Sequence, residues 1–328
     1  MFLEKEGKLI YSYDGETVCI EAWGKDALRV RATKNRSFTG RDWALEAKDA
    51  HAGEVEIFED PSAKGGAFAN MYEGTDTSYG KITNGKLHAV IDSGSVITFY
   101  HEDGRVLLKE HFRRLRDEES MPLNIMGREY SNGVGDNFRI VTRFVARKGE
   151  KIFGMGQYQQ HELDLKGCML ELAQRNSQVS VPFYLSSIGY GFLWNNPGVG
   201  QVMFANNGTE WVTESGKEID YLVIAGDTPA EIEENYMTLT GKPPMMPEYG
   251  MGFWQCKLRY WNQEQLLSVA RKYKELGVPL DVIVVDFFHW TKQGEFKFDP
   301  KYWPDVPGMC RELKEMGIQD RKSTRLNS

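Results

Sequence analysis

The sequence contains little of what builds a disulfide-stabilised or membrane-anchored protein. Its four cysteines, at positions 19, 168, 256 and 310, lie far apart and form no C-x-x-C pair. They are too few for a disulfide scaffold in a chain of 328 residues, so they are predicted to be reduced core or site residues. No stretch approaches the roughly 18 apolar residues of a membrane span, and charges occupy the N-terminus where a signal peptide needs an apolar run. A cytoplasmic protein without a membrane partner is expected.

The chain also lacks the basic excess of a nucleic-acid-binding protein. Lys and Arg total 40 against 47 Asp and Glu, which gives a formal net charge of −7. Such a chain offers no basic surface for a phosphate backbone, so nucleic acid is not an expected partner. The sequence is instead 41% hydrophobic and 12% aromatic, with 33 glycines. This composition excludes a largely disordered chain and is typical of a turn-rich globular protein of about two domains.

Short alternating segments separated by turn residues fill the first part of the chain. Residues 87–91, 96–100 and 106–108 read as a meander of three antiparallel strands. Further strands are predicted at 138–146, 181–185, 189–194, 202–205 and 211–213. The pattern predicts that residues 1–240 form an N-terminal β-sandwich domain.

A proline-rich segment, residues 241–248, ends this pattern. Its three prolines fit neither a central strand nor a helix interior, so it is predicted to be a linker between domains. Beyond it, strands are predicted at 250–255 and 280–285, with helices capped by Asn262 and Asp305. Residues 249–319 therefore read as the first two βα units of a parallel barrel or of a doubly wound sheet.

The pattern fails after Ile318, where a third parallel strand is due. Residues 320–328 are polar and basic and contain no apolar run. They are either a short polar tail on a small domain or non-native residues, since they resemble the conceptual translation of a sequencing-library adapter. The non-native interpretation is preferred, because two βα units cannot close a barrel that needs eight. On that interpretation the chain is the front part of a longer enzyme.

Asp286 is the most informative candidate because it directly follows the apolar run 280–285. In a βα barrel the carboxyl ends of the strands form the active-site face, where an acid can reach a ligand. Phe288 and Trp290 add aromatic faces, and an acid beside aromatic rings suits a sugar. The alternative is a turn-capping aspartate with the aromatic side chains in the core.

Three further residues are candidates for sugar binding. Trp254 and Lys257 are predicted at the matching end of the first barrel strand, as an aromatic platform and a hydrogen-bond donor. Asn176 is predicted on a loop of the first domain that could reach over the second domain's active face. For each of them, ordinary packing or surface polarity is the alternative. His289 has no His or Cys partner at ligand spacing, so no metal site is predicted, and a stacking or rim role is favoured over that of a general base.

These segments together resemble glycoside hydrolase family 31. The segments that carry the resemblance are 247–254, 276–286, 296–300 and 303–305 in the barrel, and 154–157, Asn176, 181–183 and 189–191 in the first domain. The first domain resembles the family's N-terminal β-sandwich, which is related to galactose mutarotase. Residues 249–319 resemble the start of its (β/α)8 barrel, and the α-xylosidase-like branch is the most similar.

The resemblance implies hydrolysis of non-reducing terminal α-linked sugars with retention of configuration, on an oligosaccharide or glycoside, without a metal or organic cofactor. The family's sugar-binding Asp carries over onto Asp286, and Phe288 falls where an aromatic wall is expected. Both catalytic aspartates of the family come from later barrel strands, so no residue of this sequence is assigned to catalysis. The chain as written is expected to be inactive. A homo-oligomer of the full-length protein is a further expectation.

A different function remains open at this point. The β-rich first domain would suffice for a non-catalytic carbohydrate-binding or mutarotase-like module. Further βα units downstream in the source DNA would favour the enzyme, whereas a genuine stop codon would favour the module.

Overall fold

The chain folds into two compact units, Met1–Lys242 and Pro243–Ser328. A computed structural model describes residues 1–61, 76–111, 113–115, 123–286, 289–292 and 294–322. The division between the units falls inside the proline-rich segment 241–248.

The described part of the first unit consists mainly of antiparallel strands. They are β1 (Phe2–Lys5), β2 (Lys8–Tyr13), β3 (Glu16–Trp23), β4 (Ala27–Thr33), β5 (Ala50–His51), β6 (Glu54–Phe58), β7 (Tyr79–Asn84), β8 (Leu87–Asp92), β9 (Ile97–His101), β10 (Val106–Lys109), β11 (Arg113–Leu115), β12 (Leu123–Ile125), β13 (Arg128–Asn132), β14 (Phe138–Phe144), β15 (Ile152–Gln157), β16 (Met169–Leu172), β17 (Val179–Ser186), β18 (Tyr190–Trp194), β19 (Gly200–Ala205), β20 (Gly208–Gly216) and β21 (Ile219–Ala225). The largest sheet has the order β1-β2-β3-β4-β21-β18-β17-β15, with β5 paired to β3. Two five-stranded sheets have the orders β10-β9-β8-β7-β6 and β13-β14-β20-β19-β16, and β11 pairs with β12. The predicted meander is confirmed as β8-β9-β10.

Alternate side chains of these strands form a shared core. In β8, Leu87, Ala89 and Ile91 are fully buried, as the alternating sequence predicts. They belong to one cluster with Phe99 of β9 and Trp211 of β20, so the core contains side chains from separate sheets. The predicted β-sandwich is confirmed.

A helix at the end of the first unit was not predicted. Helix α1 (Pro229–Thr240) begins after Thr228, whose hydroxyl accepts a hydrogen bond from the Glu231 backbone N–H at 3.2 Å. The Glu231 carboxylate in turn accepts from the Asp227 N–H at 3.0 Å. Thr228 and Glu231 thus satisfy two backbone donors at the helix start, and a proline follows in the first turn. This sequence signal was missed because the segments before it read as strands.

The second unit alternates strands and helices. Its elements are β22 (Trp254–Cys256), α2 (Gln263–Glu275), β23 (Val282–Val285), α3 (Val306–Glu315) and β24 (Gln319–Lys322). The strands form a parallel sheet of order β22-β23-β24. The parallel arrangement is the one that the sequence predicts for 249–319. The expectation that no strand follows Ile318 was wrong for β24, because a ladder uses backbone groups that polar residues also supply.

The first parallel strand begins later than predicted. Residues 250–255 were expected to form it, but Glu248–Met251 is a short 3₁₀-helix after Pro247, and β22 starts at Trp254. The Gly252 N–H closes this turn on the Tyr249 carbonyl at 3.3 Å. The two glycines of the segment add little strand propensity, so the local turn prevails.

The predicted caps of α2 and α3 are confirmed. Asn262 Oδ1 accepts a hydrogen bond from the Gln265 N–H at 2.9 Å, and Gln265 Oε1 accepts from the Trp261 N–H at 2.7 Å. Asp305 Oδ1 accepts from the Gly308 N–H at 2.9 Å. Each cap satisfies a backbone donor of the first helical turn, so both helices start where the sequence indicates.

Candidate functional site

One face of the parallel sheet is covered by the two helices. Ile283 and Val285 lie in a buried cluster with Leu266 of α2 and Leu313 of α3. Helix α2 also contacts the sheet through polar groups, since the Tyr273 hydroxyl donates to Gln255 Oε1 at 2.8 Å. Because side chains alternate along a strand, Trp254, Cys256, Val282 and Val284 point to the opposite face. In a closed barrel this opposite face points inward.

Asp286 directly follows β23 at the carboxyl end of the parallel sheet. The alternation continues by one residue to place it on the face of Val284, and the side chain is half-buried. In register, Cys256 pairs with Val284, so the end of β22 lies beside Asp286. Burial, and after it the negative charge of Asp286, raises the pKa of the Cys256 thiol. Lys257, exposed, is the next residue after β22 and belongs to the same end of the sheet.

Trp254 lies at the other end of the sheet, contrary to the prediction. It is the first residue of β22 and pairs with Val282, four residues before Asp286. At the rise of an extended strand this separates the two levels by about 13 Å. The indole N–H donates to the Gly250 carbonyl at 3.2 Å, which ties the half-buried ring to the preceding turn. The reason for the error is the late start of β22.

Phe288 and Trp290 are the aromatic candidates that follow Asp286. Phe288 lies outside the described residues. Trp290 is only 8% exposed and packs edge-on against Phe296, with ring centroids 5.2 Å apart. It also forms an isolated β-bridge with Phe298. The burial of Trp290 within its own unit fits the packing alternative better than an open sugar platform.

Asn176 lies in the first unit, on an exposed turn between β16 and β17. The Gln178 N–H closes this turn on the Arg175 carbonyl at 3.2 Å, and Ser177 has a positive φ of 68°. The turn holds the Asn176 side chain at the surface, as predicted for a loop residue. Its proposed contact with a sugar stays a prediction.

Two features of the site were not recognised in the sequence. Cys256 was predicted only to be a reduced core or site residue, without a position, and it lies exposed at the carboxyl end of β22 beside Asp286. A correct boundary for β22 would have identified it. In the loop that follows, the Arg259 guanidinium stacks 3.5 Å above the Trp261 ring, which is 58% exposed. A cation over a tryptophan face two residues away is not readable from sequence spacing.

The described part of the chain contains neither a metal-binding cluster nor a membrane-spanning helix. No three His, Cys, Asp or Glu side chains there are grouped so that they could hold a metal ion. No helix among these residues is long and apolar enough to cross a membrane.

Two family models match the chain. The glycosyl hydrolase 31 N-terminal galactose mutarotase-like domain matches residues 17–202, which is more than half of the chain. The glycosyl hydrolases family 31 TIM-barrel domain matches residues 243–322. The β-sandwich thus corresponds to the galactose mutarotase-like domain, and the parallel sheet to the start of the barrel domain. The fold predicted from the resemblance is confirmed.

Individual relatives agree with the family models. An uncharacterised family 31 glucosidase of Pseudescherichia vulneris is 41% identical, over 97% of this chain and 59% of its own length. An α-xylosidase of Saccharolobus solfataricus is 36% identical over 56% of this chain and 26% of its own. A crystal structure of a family 31 α-xylosidase from a soil metagenome, complexed with xylose, is 43% identical with a TM-score of 0.85, over 98% of this chain and 46% of its own.

The chain spans only about half the length of the first relatives that it matches. Within that span, the sequence identity, the shared fold and both family models agree. The chain belongs to glycoside hydrolase family 31.

Proposed function

We propose that the protein is a retaining α-glycoside hydrolase that removes a non-reducing terminal α-linked sugar, and that this sugar is xylose. The observation that carries the proposal is Asp286, placed at the carboxyl end of β23 within the matched barrel domain. The α-xylosidases that are 36% and 43% identical support xylose. The glucosidase that is 41% identical supports α-glucosides as the second substrate class.

In this proposal Asp286 accepts hydrogen bonds from hydroxyls of the terminal sugar, and Phe288 forms an aromatic wall beside them. Lys257, at the same end of the sheet, donates to a further hydroxyl. The positions of Trp254 and Trp290 fit packing better than a contact with this sugar, and Asn176 is kept as a proposed contact. Hydrogen bonds to a charged group contribute about 1.5–3 kcal/mol each, so loss of the Asp286 carboxylate should weaken sugar binding measurably.

The chemistry itself requires a pair of carboxylates about 5–5.5 Å apart. One attacks the anomeric carbon, while the other protonates the leaving oxygen and later activates water. Neither is assigned among residues 1–328, and both are proposed to lie on later barrel strands of the complete protein. Asp286 then acts by binding alone, and the 328-residue chain is expected to show no turnover.

The first experiment uses the protein produced from its complete reading frame. It should hydrolyse an aryl α-D-xyloside with a higher kcat/KM than the matching α-D-glucoside, and NMR should show the α-anomer as first product. Asp286→Asn should lower kcat/KM by roughly 10- to 100-fold, because a charged acceptor is lost. Asp281→Asn, at the opposite end of β23, is the matched control and should keep wild-type kinetics.

Two results would contradict the proposal. Epimerisation or simple binding of sugars without hydrolysis would favour the mutarotase-like module. Turnover by the 328-residue chain would place the catalytic carboxylates within it.

A further inference from the structure

The His289 side chain contacts the backbone of Asp286, three residues earlier in the chain. Its ring Nδ1 lies 2.7 Å from the backbone carbonyl oxygen of Asp286, and its backbone N–H lies 3.4 Å from the same oxygen. A carbonyl oxygen only accepts hydrogen bonds, so the ring donates and the proton sits on Nδ1. The ladder of β23 ends at Val285, which pairs with Lys322. Asp286 lies beyond this ladder, so its position depends on contacts made by residues that follow β23.

His289 is itself held rigidly. The residue is 2% exposed, and its ring packs against Phe298 with centroids 4.5 Å apart. The Asp299 N–H donates to the His289 carbonyl at 3.0 Å. Phe298 in turn packs at 5.5 Å against Trp303, which is 3% exposed and belongs to the core beneath the helices. The imidazole thus connects the Asp286 backbone to the packed interior of the unit.

We infer that His289 is a positioning residue for Asp286, which acts through the Nδ1 hydrogen bond rather than by touching the sugar. The inference rests on the proposed role of Asp286 in sugar binding. A carboxylate that must meet defined hydroxyls depends on a fixed backbone, and an error of about 1 Å at such a site costs up to roughly 100-fold in rate. The contact through which His289 acts is the hydrogen bond from Nδ1 to the Asp286 carbonyl.

Histidine offers a matched pair of variants for this test. His289→Asn places an amide N–H near the position of Nδ1, so it should keep the bond to the Asp286 carbonyl. His289→Phe keeps a ring of similar size against Phe298 but removes the donor. Asp286→Asn is measured beside them, with an aryl α-D-xyloside and the protein from the complete reading frame. Melting temperatures establish that each variant is folded.

His289→Phe should raise KM and lower kcat/KM by roughly 10- to 100-fold, whereas His289→Asn should stay within about threefold of wild type. A role in stability alone would lower the melting temperature and the amount of active enzyme without changing KM. An unchanged KM in folded His289→Phe, with Asp286→Asn impaired, overturns the inference and leaves the proposed function intact. Full activity of Asp286→Asn overturns both.

Discussion

The first unit contains charged side chains that are fully removed from water. Arg29 is 0% exposed and donates to both carboxylate oxygens of Asp220, at 2.9 and 2.6 Å. Asn195 Nδ2 donates to the same carboxylate at 2.8 Å. Burial raises the pKa of Asp220 to about 6 although these donors oppose the shift. Asp220 thus depends on these donors, because it lies in a site where an unpaired charge would be costly.

Removal of the buried guanidinium should strongly destabilise the first unit. Arg29→Met leaves Asp220 buried without its bidentate partner, and we expect the free energy of unfolding to fall by about 3–5 kcal/mol in urea titrations. Arg139→Met is the control, because the Arg139 ion pair with Glu214 is exposed and such pairs contribute at most about 1 kcal/mol. Equal losses in the two variants would contradict the assigned cost of burial.

The loss of unfolding free energy caused by Arg29→Met should also depend on pH. Without Arg29 the pKa of Asp220 in the folded state rises further above the value of about 4 in the unfolded chain. Between about pH 4 and this raised pKa, the folded state then holds more protons than the unfolded state, so the free energy of unfolding decreases as the pH rises. Urea titrations should therefore find a smaller loss at pH 5 than at pH 8.

At the scale of secondary structure, Asp281 joins the three parallel strands at their amino ends. Its carboxylate accepts from the Phe253 N–H at 2.9 Å, and its carbonyl accepts from the Gln319 N–H at 2.8 Å. A Cβ on Gly252 would lie 2.2 Å from Asp281 Oδ2, so only glycine allows this approach. The polar residue that interrupts the apolar run 280–285 is explained by this contact.

Truncation of this side chain should loosen the sheet. Asp281→Ala leaves the Phe253 N–H without its acceptor and should cost about 1–3 kcal/mol, whereas Asp281→Asn keeps an acceptor oxygen. Hydrogen exchange of the Val282–Val285 amides is the measurement, because it reports on this sheet independently of the first unit. Unchanged protection in Asp281→Ala would show that the ladder alone sets the strand positions.

For the whole molecule, the division into two units predicts where proteases act. The proline-rich segment 241–248, which spans the boundary between the units, contains Met245 and Met246, and these are 93% and 61% exposed. Exposed, extended segments are the preferred sites of limited proteolysis. Chymotrypsin should therefore cut near residues 245–249 first and release a resistant first unit, as followed by mass spectrometry. Early cleavage within β18 or β21, which are fully buried, would contradict this division.

Local patterns explain most of what could be predicted for the second unit. The caps at Asn262 and Asp305 were predictable because each cap satisfies backbone groups three residues away. The parallel strand 282–285 was predictable because burial on both faces demands an apolar run. The site was only partly predictable: the position of Asp286 after the run was correct, and that of Trp254 was not, because a short turn delayed β22.

The amino-acid sequence alone was enough for the strand alternation, the caps of α2 and α3 and the family, since each of these depends on residues close together or on a recurring motif. Contacts between distant segments were needed for the polar strand β24, the neighbourhood of Cys256 and Asp286, and the bond from His289 to Asp286. Their positions follow from strand register and side-chain packing, which depend on the whole unit and leave no periodic trace along the chain.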